Sequence, residues 1–362
     1  MISLIENAPQ GDRQGQFAFR PAVFLFPRRG RKRGLREAPL AGGLGKGSAL
    51  LAADPAAACF RSAILSRVIM LIETSEAQRS LGGEFELSGV GLHTGRPARV
   101  RCRPAPPESG VVFHRVDLGP GALIPARLDW IARDSESLRR RTTLGSRETG
   151  AISTCEHLLS AFSGLGVDNA LVEIDAEELP FLDGSARLFV ERILDAGVVE
   201  QDAPRRALTL HEPVVYDAGG VELTAVPSDR FGATVFVDYS RLGAGPPQAF
   251  QYLEGDDYAS LIAPARTFCF ESEIEALREA GLIKGGSLDN AIVIGRDGCL
   301  NGGGLRFRDE LVRHKTLDLL GDLMLLGHRP LAHVTASRAG HASHLAFAQA
   351  LALATAAPLA HS

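Results

Sequence analysis

The segment His314-Lys315-Thr316-Leu317-Asp318-Leu319-Leu320-Gly321-Asp322 spaces one histidine and two carboxylates at intervals of four. On an α-helix such positions share a face, so His314, Asp318 and Asp322 form a polar stripe on an element otherwise made apolar by Leu317, Leu319, Leu320 and Leu323. Burying that stripe is costly unless its members are paired or bind metal. The spacing suits a His–Asp hydrogen-bonded pair on a partly solvated face as well as it suits a metal site. A catalytic zinc takes three protein ligands and keeps a position for water, and His157 in Thr154-Cys155-Glu156-His157 would complete a set of two histidines and one aspartate. Glu156 beside it is placed to take a proton from metal-activated water. The simpler reading of Glu156 alone is a capping box with Ser153 at a helix start. In Ala339-Gly340-His341-Ala342-Ser343-His344 the two histidines could lie in a surface turn. Otherwise they could supply a cation to a developing oxyanion and a proton to a leaving amine, with Asp322 orienting such a histidine.

The elements that must position these groups are readable in outline. Residues 97–103 and 110–116 alternate like strands, Ala170 to Ile174 reads as a buried strand, and Ser153–Ser163 and Ser185–Ala196 read as helices. The polar, proline-containing stretch Glu200 to Arg206 is a candidate linker. Beyond it come strands over 207–240, a helix near 271–280, a buried strand Ala291 to Ile294 and a helix from about Asp309 to Leu326. Asp168-Asn169-Ala170 and Asp289-Asn290-Ala291 open matching strands, which suggests two similar α+β halves with a ligand cleft between them.

With 362 residues the chain can hold two domains, a first over residues 70–202 and a second over 203–362. Residues 1–69 are rich in Arg, Gly, Ala and Pro without helical or strand period, and read as a disordered tail or a mis-assigned extension before Met70. Gly42-Gly43-Leu44-Gly45-Lys46-Gly47-Ser48 has the wrong glycine spacing for a P-loop and lacks Ser or Thr after the lysine. A net charge of −4, 45% apolar and 23% charged residues favour a small-molecule substrate over nucleic acid. Five scattered cysteines without a C-x-x-C pair suit a reducing cytoplasm. No apolar run is long enough to span a membrane, so any lipid contact is expected to be peripheral.

Read together and in order, these segments resemble the UDP-3-O-acyl-N-acetylglucosamine deacetylases, zinc enzymes that commit Gram-negative bacteria to lipid A synthesis. The resemblance runs from about Gly83 to Leu351 and rests on Ser88-Gly89-Val90-Gly91-Leu92-His93-Thr94-Gly95, Thr154-Cys155-Glu156-His157-Leu158-Leu159, Leu182-Asp183-Gly184-Ser185-Ala186, Ala265-Arg266-Thr267-Phe268, Gly285-Gly286-Ser287, Leu305-Arg306-Phe307, His314-Lys315 with Asp318, Gly321-Asp322, and Gly340-His341. It implies an α+β fold of two domains packed as a β-α-α-β sandwich, each half a sheet with two principal helices and the active site between the halves. It implies zinc on His157, His314 and Asp318, with Glu156 as general base and His341 as general acid or charge stabiliser held by Asp322. Thr267 would donate to the oxyanion, Lys315 would meet the sugar nucleotide, and Phe268 with Leu282 to Ser287 would form the mouth of an acyl-chain passage. The implied reaction removes the N-acetyl group of UDP-3-O-(3-hydroxyacyl)-N-acetylglucosamine, releasing acetate, in a monomeric cytoplasmic enzyme. The ligand set also suits Fe2+. Cys155, where the family often has Val, could be a fourth ligand or a small buried residue. His93 has no assigned role; turn or core packing and a secondary metal contact are both open. A zinc amidase for another acylated sugar, or a metal-stabilised scaffold, are the competing readings.

Overall fold

The computed structural model describes residues 22–23, 69–132, 140–146 and 149–353. The expectation for residues 1–69 therefore falls almost wholly outside the described residues.

The architecture is α+β, with helices packed between two principal sheets. The first sheet has five strands in the order Phe85–Val90, Pro97–Pro104, Ala170–Ile174, Val111–Arg115, Leu123–Pro125. Alternation along Pro97–Pro104 turns Ala98, Val100 and Cys102 inward and leaves Pro97, Arg99 and Arg101 outside, which is the period of a strand covered on one face. The second sheet centres on Arg329–Ser337, which pairs with Val221–Pro227, Gly232–Val237 and Val198–Leu210. Its inward residues Pro330, Ala332, Val334 and Ala336 are small, so helices can approach this strand closely.

The described residues form six α-helices: α1 (Glu156–Leu165), α2 (Arg187–Ala196), α3 (Tyr258–Leu261), α4 (Ile274–Glu279), α5 (Glu310–Met324) and α6 (His341–Leu353). Helices α1 and α2 belong with the first sheet, α5 and α6 with the second, and α1 lies along α5 in the middle of the molecule. Helix α5 is buried on nearly every side, which its leucines favour and its charged residues oppose. A β-α-β unit made of Phe268–Phe270, α4 and the parallel strand Ile292–Gly295 adds a small third sheet. None of the described helices is long and apolar enough to cross a membrane.

Residues 200–206, expected to form a linker, lie inside the long strand Val198–Leu210 paired with Ile69–Leu81. The register shifts on either side of Pro204, because a residue without an N–H is accommodated where the ladder bulges. Helix α1 begins at Glu156 rather than Ser153. The Ser153 hydroxyl donates to the Glu177 carbonyl at 3.1 Å, and no capping box forms.

Two positions make the packing testable. A Cβ on Gly321 would lie 2.2 Å from the Glu156 carbonyl oxygen, so α5 touches the first turn of α1 backbone to backbone. Gly→Ala inside a helix ordinarily stabilises by about 1 kcal/mol. Here Gly321→Ala is expected to cost about 1–3 kcal/mol, because neither backbone can yield without moving a helix. A urea midpoint equal to or above wild type would contradict this contact. Asp183 accepts from the Ser185 amide and hydroxyl and from Arg187 and Arg306. Burial alone would raise its pKa, but the Ser185 hydroxyl and Arg306 outweigh it and hold the carboxyl below the usual range. Its stabilising effect is then full above the unfolded value of about 4 and is lost as pH falls through the lower folded value. Asp183→Asn should lower the urea midpoint at neutral pH, with the gap to wild type closing on acidification below about pH 4. A gap independent of pH would argue against an ionic origin.

Candidate metal and catalytic site

Helix α5 delivers its stripe as the spacing requires. His314, Asp318 and Asp322 are all buried and face α1 and α6. The ligand-capable atoms of His157, His314 and Asp318 lie within 4.8 Å of one another, and the His157 and His314 rings meet edge-on with centroids 5.2 Å apart.

The hydrogen bonds around this trio decide what it can hold. His314 Nδ1 donates to the Ala265 carbonyl at 3.1 Å, and burial lowers its pKa to about 4, so the ring is neutral and Nε2 carries a lone pair. That lone pair faces Asp318 Oδ1 at 3.3 Å, a buried oxygen with no hydrogen-bond partner among the described residues. Burial would raise the Asp318 pKa, but Lys315 and His314 outweigh it and keep it far below the ordinary value. Lys315 Nζ binds the other oxygen, Oδ2, at 2.9 Å, leaving Oδ1 directed at the histidines. Burial likewise holds His157 neutral. Two acceptors pressed together in a dry site repel unless a cation lies between them, and two neutral imidazoles with one ionised carboxylate suit a divalent metal.

Beside the trio stand two further buried titratable groups, Glu156 and His341. Glu156 opens α1, and its Oε2 accepts from the Thr142 amide at 3.2 Å. Burial raises its pKa to about 7, helped by Asp322 and Asp318 and opposed by His341. His341 opens α6, with Nε2 3.7 Å from Glu156 Oε1 and 3.8 Å from Asp318 Oδ2. Its Nδ1 lies 2.7 Å from Asp322 Oδ2, and because an ionised carboxylate only accepts, Nδ1 carries the proton. Burial would depress the His341 pKa, but Asp322, Asp318 and Glu156 outweigh it and raise it to about 9. Burial would raise the Asp322 pKa, but His341 and His344 pull it down to about 2.

Several expectations change. Lys315 is buried against Asp318. Phe268 packs against Tyr239, Phe270 and His314 in the main core. Alternation along its strand turns the adjacent Cys269 into a second apolar cluster with Leu92, Phe181, Leu277, Ile283, Ala291 and Val293. In the stretch Leu282 to Ser287, Ile283 joins that cluster while the Gly285 amide donates to the Leu92 carbonyl at 2.9 Å. Cys155 Sγ points to the Thr142 carbonyl, and burial holds its thiol protonated, so it is not placed as a fourth ligand. His93 is buried, and burial depresses its pKa to about 2. Thr267 is buried two residues beyond Ala265, whose carbonyl orients His314.

The sequence reading missed the groups that hold these residues in place. Glu178 accepts from the His93 amide, the Thr94 amide and hydroxyl and the Thr154 hydroxyl, tying two distant motifs together beside the α1 start. Arg266 grips Glu310 through Nε at 2.9 Å and Nη2 at 3.1 Å, pinning Ala265 over the first turn of α5. The Thr142 hydroxyl donates to Asp322 Oδ1. The only sequence signal for Arg266 was its place in the Ala265-Arg266-Thr267-Phe268 motif, and Thr142 and Glu178 gave none.

Residues 78–353 match the sequence model of the family described as UDP-3-O-acyl N-acetylglycosamine deacetylase. Proteins named UDP-3-O-acyl-N-acetylglucosamine deacetylase are similar in sequence. The one from Citrifermentans bemidjiense is 42% identical over 266 residues, covering 73% of this chain and 85% of the relative. That from Idiomarina loihiensis is 40% identical over 277 residues, covering 76% and 89%. That from Myxococcus xanthus is 42% identical over 270 residues, covering 74% and 84%. With such a match over most of its length, the chain belongs to the UDP-3-O-acyl-N-acetylglucosamine deacetylase family.

Proposed function

We propose that the chain hydrolyses the N-acetyl group of UDP-3-O-acyl-N-acetylglucosamine to release acetate, using zinc held by His157, His314 and Asp318. The observation that carries this is the convergence of those three buried groups within 4.8 Å, with Glu156 and His341 on their flank. When bound, zinc polarises the amide carbonyl and makes water acidic enough to serve as nucleophile near neutral pH. Glu156, poised near neutrality by burial, takes the proton of the attacking water. Cationic His341 stabilises negative charge as the carbonyl carbon becomes tetrahedral, and its Nε2 proton passes to the departing amine. Asp322 holds that ring with Nε2 toward the reaction, and the Thr267 hydroxyl donates to the developing oxyanion. Lys315 keeps Asp318 ionised, which preserves its ligand oxygen.

The acyl chain lies along the second apolar cluster. Phe181 of that cluster sits with its ring centroid 5.4 Å from the His157 ring, so the cluster adjoins the group of His157, His314 and Asp318. The two halves, residues 70–202 and 203–362, each carry part of the machinery, His157 with Glu156 on one and His314, Asp318 and His341 on the other. The described cysteines are free thiols, which supports a cytoplasmic setting.

Chelation should abolish acetate release from the nucleotide sugar, and zinc add-back should restore it; a chelated enzyme with full activity would refute a metal mechanism. His157→Ala is expected to lose bound metal and activity together. Glu156→Ala should retain one metal per chain while kcat falls about 10²–10⁴-fold, the range for loss of a general base. Undiminished kcat in Glu156→Ala would reject its assignment.

A further inference from the structure

His344 is buried one turn along α6 from His341, and its Nδ1 lies 2.8 Å from Asp322 Oδ2, the same oxygen that accepts from His341 Nδ1. A carboxylate oxygen has two lone pairs, and only a protonated Nδ1 can approach it this closely, so both histidines are donors there. The Thr142 hydroxyl donates to the other oxygen. Asp322 is thus held by three donors outside its own helix, two from α6 and one from Thr142. With His344 absent, the carboxylate is free to turn about the axis to Thr142 and carry the His341 ring with it. The two rings, 76° apart in plane with centroids separated by 6.1 Å, are not equivalent. Among the contacts described, His341 alone of the pair adds ion-pair distances to Glu156 and Asp318.

We infer that His344 is a positioning residue, whose Nδ1–H fixes the Asp322 carboxylate so that His341 presents Nε2 to the reacting amide. This rests on the deacetylase reading above. Asp322, His341 and His344 also lie close enough to share a metal ion, which is the rival use of the cluster. A metal there would displace both Nδ1 protons, whereas the two short N···O separations are those of charge-assisted hydrogen bonds.

The test compares wild type, His344→Ala and His344→Asn for acetate release, bound metal and thermal unfolding. Asn places an amide N–H near the position of the imidazole Nδ1, whereas Ala removes the donor. His344→Ala should lose about 10–100-fold in kcat, the usual range for loss of a partner behind a catalytic group, with KM unchanged. His344→Asn should recover most of that loss, and all three proteins should retain one equivalent of metal. Equal kcat in wild type and His344→Ala, or no rescue by Asn, overturns the inference and leaves the deacetylase reading standing. A second metal equivalent present in wild type and lost in His344→Ala also overturns it. Absence of turnover by metal-loaded wild type defeats the deacetylase reading, and the catalytic role of His344 with it. If His344→Ala does not fold, histidine ¹⁵N spectra of wild type decide the matter. Protonated Nδ1 on both rings supports the inference, and an Nε2–H tautomer of His344 overturns it.

Discussion

The Glu156 carbonyl and the Gly321 Cα are in contact, and the site exists because of that contact. One helix supplies Glu156 and His157; the other supplies His314, Asp318 and Asp322. Ligand atoms from two rigid helices meet within 4.8 Å only if the helix axes approach more closely than side chains at the crossing would allow. Glycine at this point exchanges some helix propensity for proximity. It does so immediately before Asp322, so the crossing and the carboxylate that orients His341 are set by adjacent residues. The small residues Ala332, Val334 and Ala336 give the strand beneath a similar tolerance of close packing.

Close approach creates an electrostatic problem, because Glu156, Asp318 and Asp322 are all buried among histidines and one lysine. Each carboxylate meets it differently. Asp322 is surrounded by donors and stays ionised; Asp318 has one oxygen on Lys315 and the other directed at two neutral imidazoles; Glu156 has a single backbone amide and is left near neutrality. Three chemically similar groups thereby acquire different protonation behaviour, distinguished by their neighbours rather than by their type.

Much of this was legible in the sequence, and the boundary has physical reasons. Period four exposed the stripe on α5, since a helix maps sequence distance onto a face, but it could not show whether solvent or protein lay opposite. Glu156 taken alone read more simply as a cap, because Ser153 lies three residues before it; the structure removes the capping box, since the Ser153 hydroxyl turns to Glu177. Phe268 and Cys269 show what motif matching leaves out, since one step along a strand reverses the face and puts Phe268 in the main core and Cys269 in a second apolar cluster. The linker reading of 200–206 failed because polar residues and a proline describe a bulged outer strand as well as they describe a connection. Glu178, Thr142 and the Arg266–Glu310 pair were illegible because their partners lie far away in the chain, where periodicity carries no information.

The turn before α1 shows how local strain serves the same end. Thr154 has φ 59°, a left-handed conformation that a β-branched residue disfavours at a cost of about 1–3 kcal/mol. Its amide donates to the Thr142 carbonyl and its hydroxyl to Glu178, each at 3.0 Å, and these bonds hold the turn in place. A relaxed turn would let the helix start earlier and rotate Glu156 and His157 away from α5. Starting at Glu156 places both in the first turn, at the positive end of the helix dipole. That end favours an ionised carboxylate and disfavours a protonated imidazole. It therefore limits how far burial can raise the Glu156 pKa while keeping the His157 lone pair available, so one strained residue bears on both side chains together.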